Sequence, residues 1–81
     1  MVKPSILLLE DDGAIASTIV YALEREGWAV THCLLLREAR GMLALLAFDV
    51  HILDVGLPDG NGLDLCRELR QAAYGSGDAR V

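Results

Sequence analysis

The feature that most constrains this chain is a short apolar run that stops abruptly in acid: Ile6-Leu7-Leu8-Leu9 followed by Glu10-Asp11-Asp12. Four consecutive apolar residues with no polar alternation describe a strand covered on both faces, the signature of a central strand in a parallel sheet. From Gly13 the period changes to that of a helix, with Ile15, Ile19 and Leu23 at i, i+4, i+8 and Ala16 and Val20 beside them. Asp12 or Gly13 is placed to cap its start and Gly27 to stop it.

The pattern then repeats. Residues 28–33, rich in aromatic and β-branched side chains, read as a second strand. Leu36, Ala39, Leu43 and Leu46 with Ala47 form a second helical stripe, in which Gly41 costs about 1 kcal/mol relative to alanine. Val50-His51-Ile52-Leu53 is a third strand ending in Asp54, and Gly56-Leu57-Pro58-Asp59-Gly60-Asn61-Gly62 is a dense loop signal. Leu63, Cys66 and Leu69, with Leu65 and Ala72, give a third stripe. Alternating strand and helix predict a parallel sheet with helices on both faces and right-handed crossovers.

Composition narrows the function. The chain has 81 residues, room for one small domain, and 53% of them are apolar, enough to exclude a disordered tail. The richest apolar stretch, residues 42–48, falls far short of the about 20 residues a membrane helix needs. Lys3-Pro4 and the few apolar residues before Glu10 do not make a secretory signal, so the expected location is cytoplasmic. Twelve acids against seven bases, the bases scattered, make the chain by itself a poor ligand for nucleic acid. Cys33 and Cys66 are expected to be small hydrophobes, because no zinc-ligand spacing surrounds them.

The chemistry resides in the carboxylates. If the first and third strands are neighbours, Glu10, Asp11 and Asp54 converge at the carboxyl edge of the sheet, where open α/β sheets bind ligands. Two carboxylates ~5 Å apart repel by roughly 3 kcal/mol at an effective dielectric near 20, so the group needs a shared proton or a hard divalent cation. Oxygen-only ligands favour Mg²⁺ or Mn²⁺. A carboxylate beside such a cation can attack phosphorus and become an aspartyl phosphate. Asp54, alone at its strand end, is the better nucleophile; Glu10 and Asp11 are the better metal holders.

At these residues the chain resembles a known family. Ile-Leu-Leu-Leu-Glu10-Asp11-Asp12 before a helix, with Ile-Leu-Asp54-Val-Gly-Leu-Pro58-Asp-Gly-Asn-Gly62-Leu, resembles the receiver domain of two-component response regulators, and the loop wording is closest to the winged-helix, OmpR/PhoB-type class. The resemblance implies a flavodoxin-like (CheY-like) doubly wound parallel sheet with strand order 2-1-3 for the three strands here. It implies Asp54 as phosphoacceptor, Glu10 and Asp11 as the acidic pair holding Mg²⁺, and Gly56 as a metal ligand through its backbone carbonyl. Asp12 is left to cap the first helix, and Pro58 and Gly62 match the loop entering the third. A histidine kinase is the implied phosphodonor and a DNA-binding output domain the implied effector. The family's later strands, with a Ser or Thr and a Lys that meet the phosphoryl group, have no counterpart: the only lysine is Lys3. The chain therefore reads as a receiver truncated before its fourth strand, with no output domain, and an exposed third strand predicts an edge-paired or domain-swapped homodimer.

Other readings are weaker. Asp59, Asn61, Gly62 and Glu68 mimic positions of a calcium loop, but Leu57 stands where its first acid is required. A haloacid-dehalogenase-like phosphatase needs an acid two residues past the nucleophile, where Gly56 stands. The rival of a different class is a non-enzymatic interaction module with a vestigial acidic site. His32, His51 and Asp49 are read as structural.

Overall fold

The computed structural model describes residues 2–75. The apolar run forms β1 (Ser5–Leu9), the middle of a three-stranded sheet between β2 (Ala29–Cys33) and β3 (Val50–Leu53). Both pairings are parallel, with Leu9 opposite Cys33 on one side and Leu53 on the other. Ile6, Leu7, Leu8 and Leu9 are the largest fully buried side chains. Burial on both faces is what makes the strand uniformly apolar rather than alternating.

Three helices enclose this sheet: α1 (Gly13–Arg25), α2 (Leu36–Leu45) and α3 (Gly62–Gly75). The main core joins Leu7, Leu9 and Cys33 to Leu36 and Ala39 of α2 and Leu65 of α3. Ile6 and Leu8, equally buried, point to the opposite face by the period of two, and α1, packed against β2, has Ala16 as its only fully buried residue. Asp12 caps α1 as expected, its Oδ1 accepting from Ala14 N–H at 3.0 Å and Ile15 N–H at 3.1 Å. At the other end Gly27, with φ +94°, donates to the Glu24 carbonyl while Trp28 N–H donates to that of Leu23. This is a Schellman closure, and glycine supplies its left-handed residue.

Local expectations shift in four places. Ile15 points outward, 51% exposed, because the line facing the sheet runs through Ala16, whose small side chain lets the helix approach closely. Leu63 is likewise turned out, and Leu65 is the anchor of α3. Helix α2 stops at Leu45, and Leu46 is extended with ψ 150°, which turns the chain toward β3. The loop after Asp54 contains a tight hairpin of β4 (Gly56–Leu57) and β5 (Gly60–Asn61). Asp49, at the amino edge of the sheet, ties β3 to β1: its carboxylate accepts from the Ser5 N–H at 2.7 Å and the Ser5 hydroxyl at 3.2 Å.

His51 sits in β3 with its ring edge-on to Phe48, centroids 6.4 Å apart. Burial pushes its pKa below the ordinary 6.5. The unfolded chain therefore binds the proton more readily. His51 contributes full stability above pH 6.5 and loses it as pH falls through 6.5 toward the lowered value. Urea denaturation of wild type and His51→Leu between pH 7.5 and about 5.5 should show a downward slope in wild type that the variant lacks; parallel curves would contradict it.

Candidate functional site

The register of the sheet builds the site. Strands β1 and β3 end opposite each other, at Leu9 and Leu53, so the next residues of both leave the sheet at the same edge. Asp54 N–H donates to the Leu9 carbonyl at 2.9 Å, and Glu10 N–H donates to that of Cys33 at 3.0 Å, so both acids are held by one more rung of each ladder. One carboxylate oxygen from each of Glu10, Asp11 and Asp54 can be chosen so that all three lie within 4.8 Å of one another. Glu10 and Asp54 are half-buried and Asp11 is exposed.

The three sequence-derived acids are thus brought together, and Asp12 is not among them because its carboxylate is spent on α1. Glu10 Oε1 accepts from Asp12 N–H at 3.0 Å, which orients that side chain. Both ion pairs found among the described residues lie elsewhere, Arg40 with Glu68 at 2.6 Å and Arg67 with Asp64 at 3.4 Å. No basic side chain among the described residues neutralises the acidic cluster in an ion pair. Three hard oxygen donors with no nitrogen or sulfur donor in the group suit a hard divalent cation such as Mg²⁺. Gly56 lies two residues beyond Asp54 in β4, paired with Asn61.

Two contacts at this edge have no signal in the sequence. His32, exposed at the end of β2, donates from Nε2 to the Glu10 carbonyl at 2.8 Å. Asp59 reaches across to α2, accepting from Leu36 N–H at 2.8 Å and Arg37 N–H at 3.1 Å. The three side chains that mimic a calcium loop are each occupied: Asp59 on α2, Asn61 Oδ1 accepting from Leu63 N–H at 2.8 Å, and Glu68 on Arg40. Cys33 and Cys66 are free thiols, and burial, reinforced by Glu38, raises the pKa of Cys33 and keeps it protonated. No helix among the described residues is long and apolar enough to cross a membrane.

Fold and site together define a doubly wound α/β domain with an acidic, cation-attracting carboxyl edge. The family model "Response regulator receiver domain" matches residues 6–77, and the chain belongs to that family. It is 44% identical over 73 residues to the transcriptional regulatory protein CreB of Escherichia coli strain K12, covering 85% of this chain and 30% of that protein. To the KDP operon transcriptional regulatory protein KdpE of the same strain it is 42% identical over 67 residues, covering 83% of this chain and 30% of that protein. The non-phosphorylated HemR receiver domain from Leptospira biflexa superposes with a TM-score of 0.79 at 39% identity, covering 85% of this chain and 56% of that one. The chain thus spans about 30% of the length of these curated relatives.

Proposed function

We propose that Asp54 accepts a phosphoryl group, with Mg²⁺ held by the carboxylates of Glu10, Asp11 and Asp54 and by the Gly56 carbonyl. The observation that carries this reading is the convergence of three carboxylates at the ends of β1 and β3, with no ion-pair partner among the described residues. The cation, Mg²⁺ or Mn²⁺, would neutralise charge on both the acceptor oxygen and the incoming phosphoryl group. Asp54 supplies the nucleophilic oxygen, standing beyond the last rung of β3, where its backbone is fixed by Leu9. Glu10 and Asp11 balance the cation's charge, and the Glu10 side chain is pre-oriented by Asp12 N–H.

The donor class is a phosphohistidine on a histidine kinase, and the setting is cytoplasmic. The domain is a signalling acceptor, with self-phosphorylation from a small phosphodonor as its own chemistry. The names of CreB and KdpE as transcriptional regulators support a transcriptional, DNA-binding output delivered by a separate domain of the OmpR/PhoB type. In this reading residues 1–81 are receiver sequence preceding the family's fourth strand. Phosphorylation would bias a two-state equilibrium that the output domain reads.

A second reading is favoured by one observation. Among the described residues strand β3 pairs on one side only, with β1, and its Val50 and Ile52 are 37% and 36% exposed. Such an edge can add a strand from a second copy, by pairing or by swapping, making the chain an interaction module. Incubation with Mg²⁺ and acetyl phosphate separates the two. A single phosphoryl adduct in the intact mass, dependent on Mg²⁺, supports the acceptor reading. Concentration-dependent dimerisation indifferent to Mg²⁺ and to Asp54, with no adduct, supports the second.

A further inference from the structure

The loop that follows Asp54 has to keep its backbone in place if Gly56 is to offer a carbonyl to the cation. Its two ends are held by main-chain bonds: Asp54 N–H to the Leu9 carbonyl and Gly62 N–H to the Val55 carbonyl, each 2.9 Å. Its tip is held differently. Asp59, between β4 and β5, places Oδ1 on Leu36 N–H and Oδ2 on Arg37 N–H, at 2.8 and 3.1 Å. The two contacts span 23 and 22 residues of sequence.

These amides belong to the first turn of α2, whose N–H groups have no partner within the helix. Leu35, at the cap position, offers no side-chain acceptor, and Glu38 serves the N–H groups of Leu34 and Leu35 instead. Asp59 therefore completes the cap of α2 from another part of the chain. The hairpin backbone also lies against the same helix: a Cβ built on Gly60 would come within 2.7 Å of Leu36 Cδ2. Leu36 in turn is buried in the cluster that contains Leu7 and Leu9, the strand that leads into Glu10 and Asp11. The hairpin and the acidic pair are thus fastened to one platform.

We infer that Asp59 is a positioning residue for the acceptor site, fixing the β4–β5 hairpin, and with it the Gly56 carbonyl, relative to Glu10, Asp11 and Asp54. The inference rests on the acceptor reading given above. Asp59 is outside the acidic cluster and acts through the loop backbone. The α2 amides hold its carboxyl below the usual carboxylate range, so the anchor is charged throughout neutral pH.

Mg²⁺ titration calorimetry on the 81-residue chain tests this, at a temperature where circular dichroism shows each variant folded. Asp59→Ala should weaken Mg²⁺ binding about tenfold, as loss of an outer orienting group does. Asp59→Asn keeps the Oδ1 acceptor and should recover most of the affinity. Asp49→Ala removes a comparable anchor at the opposite edge of the sheet and should change affinity by less than about twofold. A purely structural cap predicts that Asp59→Ala and Asp49→Ala behave alike, and that outcome overturns the inference. Should Asp59→Ala not fold, hydrogen exchange at the β4–β5 amides decides instead, with Asp59→Ser, whose shorter hydroxyl does not span both α2 amides, set beside Asp59→Asn: faster exchange in the Ser variant than in the Asn variant supports the anchor, and equal exchange in the two overturns it. Wild type that binds Mg²⁺, Asp54→Asn that does not and Asp59→Ala that matches wild type leave the acceptor reading standing and remove this inference alone. Wild type that fails to bind Mg²⁺ removes both.

Discussion

Gly62→Ala is expected to lower Tm by about 15 °C, a loss of about 3 kcal/mol in a domain of this size. A Cβ at Gly62 would lie inside the contact shell of the Asp54 carbonyl oxygen, 2.9 Å from its carbon and 3.5 Å from Val55 Cα. These are backbone atoms, and no rotamer change relieves the clash. The helix cannot move away, because Leu65, one turn on, is buried at 2% exposure in the core. Asp54 cannot move either, since its N–H completes the ladder to Leu9. The substitution sets the third helix against Asp54 itself, so the fold and the acidic cluster are disturbed together. Gly41→Ala is the matched control: nothing lies within 4 Å of a Cβ there, and alanine in a helix interior should stabilise by about 0.5–1 kcal/mol. A Gly62→Ala protein melting within a degree or two of wild type would contradict the packing described for this turn.

Asp54→Asn should have opposite effects with and without Mg²⁺. In chelator, removing one of three carboxylates that approach within 4.8 Å relieves two close repulsions. Because Asp11 is exposed, solvent screens this, and the gain is about 1 kcal/mol at low salt. With Mg²⁺ at 100 times its Kd, wild type gains about 2.7 kcal/mol by linkage, while the variant, lacking a ligand, gains much less. The order of stabilities therefore inverts when the cation is added. Phosphoryl transfer to the variant should vanish, because the amide is not a nucleophile of comparable strength. Thermal melts of both proteins in EDTA and in excess Mg²⁺ check the first part, and two parallel shifts would contradict it.

Much of this site is legible in the chain itself, and the reason is local. An apolar tetrapeptide that ends in Glu10-Asp11 marks a buried strand and its exit, and Val50–Leu53 before Asp54 marks another. Parallel strands that end in register must then bring those acids to one edge, as Leu9 opposite Leu53 does. Caps are legible for the same reason, since Asp12 bonds N–H groups two and three residues away. The turn at Gly27 follows from a glycine placed where a helix must reverse hand.

What stays hidden in the sequence is decided by tertiary contact. Periodicity finds the stripe of α1 but not its centre: Ile15 and Ala16 are adjacent, and only docking against the sheet selects the smaller residue for burial. Leu63 and Leu65 are resolved the same way. The second helix ends at Leu45 although the apolar stripe continues, because the chain must turn to reach β3. Asp59 carries no local mark of its partner, since Leu36 and Arg37 are more than twenty residues away. Gly62 can be matched to a family motif, but its cause, the Asp54 carbonyl against its α-carbon, is a contact between two turns.

The position of the acyl phosphate tests Asp54 as the acceptor most sharply. The chain is incubated with acetyl phosphate and Mg²⁺, reduced with borohydride, and mapped by peptide mass spectrometry. Reduction of an aspartyl phosphate leaves homoserine, so the expected result is homoserine at Asp54 alone, formed only when Mg²⁺ is present. Reduction product at Asp11 or Glu10, or a homoserine at Asp54 that forms equally well in EDTA, would contradict the assignment of acceptor and metal holders.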